Sequence, residues 1–121
     1  MRILLIEDDS FFQNFYTKKL KEKNFEVEVA VDGEEGLSKM KQATPDLILL
    51  DIIMPKKDGF EVLKEMSQVE TLKVVPVLVF STLGQEEDIK KALSLGAKDY
   101  IRKTFFDFEK LYLKIVSYMP K

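Results

Sequence analysis

Residues 47–50, Leu-Ile-Leu-Leu, are apolar without interruption. A strand with one face in water alternates polar and apolar residues. A short run of branched apolar residues instead fits a parallel strand covered by helices on both faces. The run ends on a carboxylate, Asp51, and Met54, Pro55, Asp58 and Gly59 then break the pattern. In open α/β sheets, ligands and chemistry collect at the carboxyl ends of the strands. An Asp there keeps its backbone in the sheet and carries its carboxylate into the crevice. Asp is also a common turn residue, so Asp51 taken alone reads equally well as the start of a turn or a helix cap.

The flanking sequence repeats the same unit. The run from Arg2 to Ile6 is a first buried strand, and it ends in Glu7, Asp8 and Asp9. Ser10 with Gln13 fits a capping box, and Phe12, Phe15, Tyr16 and Leu20 recur at helical spacing. From Glu26 to Ala30 the chain alternates, as an edge strand does. Asp32 with Glu35 offers a second capping signature, Leu37 and Met40 a narrow apolar stripe, and Thr44-Pro45 a stop. Phe60, Val62, Leu63 and Met66 predict a helix from Gly59 to Ser67. The run from Val74 to Phe80 predicts a further buried strand with Pro76 near its start, followed by Ser81, Thr82, Leu83 and Gly84. A helix is expected from Gln85 to Leu95 with Gly96 as its stop, then a short strand from Asp99 to Ile101 leading to Lys103. Phe108, Leu111, Tyr112, Ile115 and Met119 make the last helix amphipathic.

Strands and helices alternate throughout, which predicts one α/β domain over residues 1–121, a doubly wound parallel sheet with right-handed crossovers. All strands of such a sheet end on one edge. Asp8, Asp9, Asp51, Ser81 and Lys103 then converge from four strand ends, although each alone reads as an ordinary cap or surface residue.

Composition narrows the chemistry. The chain has no histidine and no cysteine, so imidazole bases, thiolate nucleophiles and N/S metal sites are excluded. A metal must be held by oxygen, which favours a hard cation such as Mg2+. A net charge of -2 gives no basic footprint, so no direct nucleic-acid contact is expected. No stretch approaches the roughly 18 apolar residues of a membrane span, and a cytoplasmic protein is the expectation. Three carboxylates in one crevice, Asp8, Asp9 and Asp51, repel one another, and a divalent cation relieves that repulsion. With Mg2+ bound, Asp51 can act as a nucleophile toward phosphorus and form an aspartyl phosphate. The Lys103 ammonium and the Ser81 hydroxyl would face the phosphoryl oxygens.

The motifs Glu7-Asp8-Asp9, Asp51-x-x-Met54-Pro55-x-x-Asp58-Gly59, Ser81 after a buried strand, and Tyr100-Ile101-Arg102-Lys103 stand in one order and spacing. In these the whole chain resembles a response-regulator receiver domain, the CheY-like phosphoacceptor of two-component signalling. The resemblance implies a five-stranded sheet of order 2-1-3-4-5. It implies Asp51 as the phosphorylation site, and Asp8, Asp9, Asp51 and the Ile53 backbone carbonyl as Mg2+ ligands. Lys103 becomes the phosphate-binding lysine, Ser81 the hydroxyl switch and Tyr100 the aromatic switch. It implies no conventional enzyme, only catalysis of the domain's own phosphorylation and dephosphorylation. One residue departs from the pattern: the family usually has proline after the lysine, with a cis bond, and Thr104 stands here. The positions two beyond the phosphoacceptor and two beyond the hydroxyl flank the path of a hydrolytic water in the family; here they are Ile53 and Leu83, neither of which can orient water.

The implied partners are a sensor histidine kinase or phosphotransfer protein, and a target that reads the helix from Gln85 to Leu95, the strand from Asp99 to Ile101 and the last helix. The domain is expected as a monomer or a phosphorylation-dependent dimer. Two rival classes fit less well. A flavodoxin-like cofactor binder needs a phosphate cradle where Glu7, Asp8 and Asp9 would repel one. A phosphatase with an Asp nucleophile needs an acid two residues on, where Ile53 stands. A pseudo-receiver that only docks partners is disfavoured by the intact acidic set.

Overall fold

The computed structural model describes residues 1–82, 84–103 and 108–119. Five strands alternate with five helices: β1 (Arg2–Ile6), α1 (Ser10–Glu22), β2 (Glu26–Ala30), α2 (Gly33–Gln42), β3 (Leu47–Leu50), α3 (Gly59–Ser67), β4 (Val77–Ser81), α4 (Glu86–Ser94), β5 (Asp99–Arg102) and α5 (Phe108–Tyr118). All pairings are parallel, and the sheet order is β2-β1-β3-β4-β5, as expected from the sequence.

The uninterrupted apolar runs are the central strands. β3 and β4 are buried along their whole length, whereas β2, at an edge, is only partly covered. Pleating sends alternate residues to opposite faces, so each strand feeds two cores. Leu4, Ile6, Ile48, Leu50, Val77 and Val79 pack with α2, α3 and α4. Ile3, Leu5, Leu47, Leu49, Leu78, Phe80 and Ile101 pack with Tyr16 and Leu20 of α1 and with Leu111 and Ile115 of α5. Among the described residues, no helix is long and apolar enough to cross a membrane.

The local start signals differ from expectation in two places. The N-cap of α1 is Asp9, not Ser10: its carboxylate accepts from the backbone of Phe11 and Phe12 at 2.8 and 3.2 Å. Gln13 is thereby free to donate to the Glu7 carbonyl at 2.6 Å, which pins the first turn of α1 to the end of β1. Strand β4 begins after Pro76 rather than at Val74, because residues 69–75 coil in turns and Val74 is 72% exposed. Pro76, lacking an N–H, still serves the sheet by accepting from Ile48 at 3.0 Å. The remaining elements follow the sequence signals. Asp58 and Glu61 close a capping box on α3, Asp32 caps α2, and Gly96 ends α4 with φ +111.

Candidate acidic site at the carboxyl edge of the sheet

Three strand ends build the site. Glu7 follows β1, Asp51 follows β3 and Lys103 follows β5. Each continues its strand's pleat from a residue on the α1/α5 side: Leu5 to Glu7, Leu49 to Asp51, Ile101 to Lys103. Parity therefore aims all three side chains into the same space. The backbone of Asp51 is fixed by donation to the Ile6 carbonyl at 3.0 Å, and its Oδ1 accepts from the Ile52 N–H at 2.8 Å. The chain then turns back sharply. Gly59 donates to the Ile52 carbonyl at 2.8 Å, and a Cβ on Gly59 would lie 2.5 Å from the Asp51 carbonyl oxygen. Only glycine allows that approach.

Lys103 is the internal countercharge. Its Nζ donates to Glu7 Oε1 and lies 3.5 Å from Asp51 Oδ2. The Lys103, Glu7 and Asp51 side chains are 3%, 2% and 8% exposed. Burial holds the Glu7 carboxyl above the usual carboxylate range; the Lys103 hydrogen bond opposes this and the nearby Asp51 charge adds to it. Glu7 also accepts from the Asp9 N–H at 3.1 Å.

Among the described residues, the carboxylates that meet are Glu7, Asp8 and Asp51, with one oxygen of each within 4.8 Å of the others. Two of these three are buried and Asp8 is exposed, so the cluster opens to solvent on one side. Three hard oxygen donors around one point are a donor set that suits Mg2+. Asp9, expected among the ligands, stands outside this group because its carboxylate is spent on capping α1. Glu7 is the third carboxylate of the group. The signal that identifies Glu7 is the pleat: only Glu7 shares the parity of Asp51 and Lys103.

Ile53 lines the same depression and is 56% exposed. Ser81 is fully buried and, by strand parity, faces the α2/α3/α4 side with Tyr100, to which its side chain is hydrogen-bonded. Burial raises the Tyr100 hydroxyl pKa and the Ser81 bond opposes the shift. Among the described residues, the hydroxyl residues that line the depression are Ser10 and Thr82, the neighbour of Ser81, neither of which the sequence pointed to as a phosphoryl contact. Leu83, Thr104 and the Lys103–Thr104 peptide lie outside the described residues.

Residues 3–116 match the family model described as "Response regulator receiver domain". The chain is 40% identical over 119 residues to the chemotaxis protein CheY of Treponema pallidum, covering 96% of this chain and 81% of that one. It is 37% identical over 114 residues to the DNA-binding dual master transcriptional regulator RpaA of a Synechocystis strain, covering 94% of this chain but 47% of that protein. The chain thus spans about half the length of the transcriptional regulator it matches. Among solved structures, the complex of CheX with CheY, BeF3 and Mg2+ from Borrelia burgdorferi matches at 31% identity with a TM-score of 0.90, over 100% of this chain and 90% of that one. Vibrio cholerae CheY4 matches at 29% identity with a TM-score of 0.88, over 98% of both chains.

Proposed function

The chain belongs to the response-regulator receiver family and is a signalling phosphoacceptor domain of a two-component system, and from that premise we propose that Asp51 is the residue phosphorylated. The observation that carries this is one carboxylate, at the end of the central strand, flanked by both the acidic cluster and a buried ammonium. An Asp51 carboxylate oxygen attacks phosphorus in line with the departing group. The new O–P bond forms as the donor's bond to phosphorus breaks, and the donor leaves with that electron pair. Lys103 then faces the phosphoryl oxygens as charge develops on them.

Glu7, Asp8 and Asp51, with the Ile53 carbonyl, would hold Mg2+. When bound, the cation neutralises the clustered carboxylates and the incoming phosphoryl oxygens. Asp9 serves this set from outside, by fixing the first turn of α1. Ser81 is the hydroxyl drawn toward the phosphoryl group, and its hydrogen bond to Tyr100 makes the aromatic ring the next element to respond. The readout surface is α4, β5 and α5, offered to a target protein. The donor is a histidine kinase or phosphotransfer protein, the setting is the cytoplasm, and residues 1–121 form one receiver domain.

The test is NMR with beryllofluoride and Mg2+, a phosphoryl mimic. Amide shifts at Ser81, Tyr100 and along α4 are expected to move in the wild type and stay fixed in Asp51→Asn. Shifts confined to residues within the acidic depression would contradict the switch.

A further inference from the structure

Lys103 is held by more than its two carboxylates. Its Nζ sits over the Phe12 ring, 4.2 Å from the centroid, with the Phe80 centroid at 5.6 Å. Phe12 belongs to the first turn of α1 and lines the same depression as Asp51. The ring is itself fixed. It stacks on Tyr16, one helical turn on, with centroids 6.1 Å apart and planes 17° from parallel. Tyr16 in turn meets Phe80 edge-on at 4.7 Å. The Asp9 cap and the Gln13 bond to the Glu7 carbonyl set the height of that turn against the sheet.

We propose that Phe12 is a positioning residue for phosphoryl transfer: its ring face holds the Lys103 ammonium between Glu7 and Asp51. The role rests on Asp51 being the acceptor. A lysine side chain has four flexible carbons and three N–H donors. Here one donor is committed to Glu7, while Asp51 at 3.5 Å is an ion-pair neighbour. During transfer the ammonium must turn from Glu7 toward the phosphoryl oxygens. An aromatic face attracts a cation through its quadrupole but has no lone pair to capture a single N–H. It therefore confines the ammonium without choosing its direction. A polar side chain at position 12 would compete for an N–H, and an aliphatic one would fill the volume without holding the charge.

The experiment compares wild type, Phe12→Leu and Phe12→Tyr in the full chain. Phosphorylation by acetyl phosphate at saturating Mg2+ is followed by intact mass. Phe12→Leu is expected to slow the initial rate about 3- to 30-fold, the size of a desolvated cation–π contact, and Phe12→Tyr to restore it. In a Lys103→Met background the Leu change should matter by less than about 2-fold, since the cation it acts on is gone. A second readout needs neither metal nor phosphate: the Lys103 ε-methylene protons should be shifted upfield by the ring current in wild type and Phe12→Tyr, and return toward the free-lysine position in Phe12→Leu. Ordinary lysine shifts in the wild type, or a Phe12→Leu rate equal to wild type, would overturn the proposal. A wild type with the upfield signal that takes up no phosphoryl group would remove the acceptor reading, and the role with it.

Discussion

Replacing Lys103 by Met tests the electrostatics of the acidic site without metal. The substitution keeps a long apolar stem against Phe12 and Phe80 but removes the cation that, among the described residues, pairs with Glu7 and Asp51. Breaking a buried ion pair by removing one partner costs about 3–5 kcal/mol, because the group left behind must stay buried as a charge or take up a proton. The lower end applies here, since exposed Asp8 opens one side of the cluster to water. For 121 residues the unfolding entropy near the midpoint is about 0.25 kcal/mol/K, so a loss of about 3 kcal/mol lowers Tm by about 12 °C. Mg2+ should recover much of it: a ligand at 100 times its Kd adds about 2.7 kcal/mol to the folded state. The double change Glu7→Gln with Lys103→Met removes one of the two carboxylates left unbalanced and should be more stable than Lys103→Met alone. Thermal melts by circular dichroism at pH 7, with and without Mg2+, measure all three proteins. A Lys103→Met protein within about 1 kcal/mol of wild type, or a double variant no more stable than the single, would refute the reasoning.

Asp8 and Asp9 should respond in opposite directions without metal: Asp8→Ala relieves repulsion and raises Tm, whereas Asp9→Ala removes the α1 cap and costs about 1 kcal/mol, as denaturant melts will show. The phosphorylated state should be long-lived, because Ile53 and Leu83 offer no group to orient water. Ile53→Asn with Leu83→Glu should speed phosphate release after donor removal by about 10- to 100-fold, and an unchanged rate would refute this. Burial, aided by the Glu7 charge, pushes the Tyr16 hydroxyl up to about 12 from an ordinary 10.0. The folded protein keeps a proton that the unfolded chain loses, so this contribution is full below pH 10.0 and is lost as pH rises through about 12. Absorbance at 295 nm should show a tyrosine phase near pH 12 that disappears in Tyr16→Phe.

The central strands were readable because a strand covered on both faces has no polar alternation to hide it, and β1 and β3 coincide with the apolar runs. The start of β4 was not, because Val74 and Val75 look like strand residues while only tertiary packing turns them out of the sheet before Pro76. Asp51 was legible as the carboxylate closing an apolar run, and Lys103 as the cation after a short strand. Which two of the three adjacent acids join Asp51 was not legible, since Glu7, Asp8 and Asp9 look alike in composition. What separates them is backbone geometry: the pleat carries Glu7 inward with Leu5, and Asp9 leaves the strand to cap α1. Phe12 read as part of an apolar stripe at helical spacing, and it does pack, partly buried, against the α1/α5-side core. Its contact with Lys103 joins residues from α1 and the end of β5, and no local pattern reports it.

The most direct test is to locate the phosphoryl group chemically. The protein is incubated with acetyl phosphate and Mg2+, reduced with borohydride to convert an aspartyl phosphate to homoserine, and mapped by peptide mass spectrometry. The expected result is a single homoserine at position 51, dependent on Mg2+ and absent in Asp51→Asn. An adduct at any other residue, or one that persists in Asp51→Asn, would contradict the assignment of Asp51 as the phosphoacceptor.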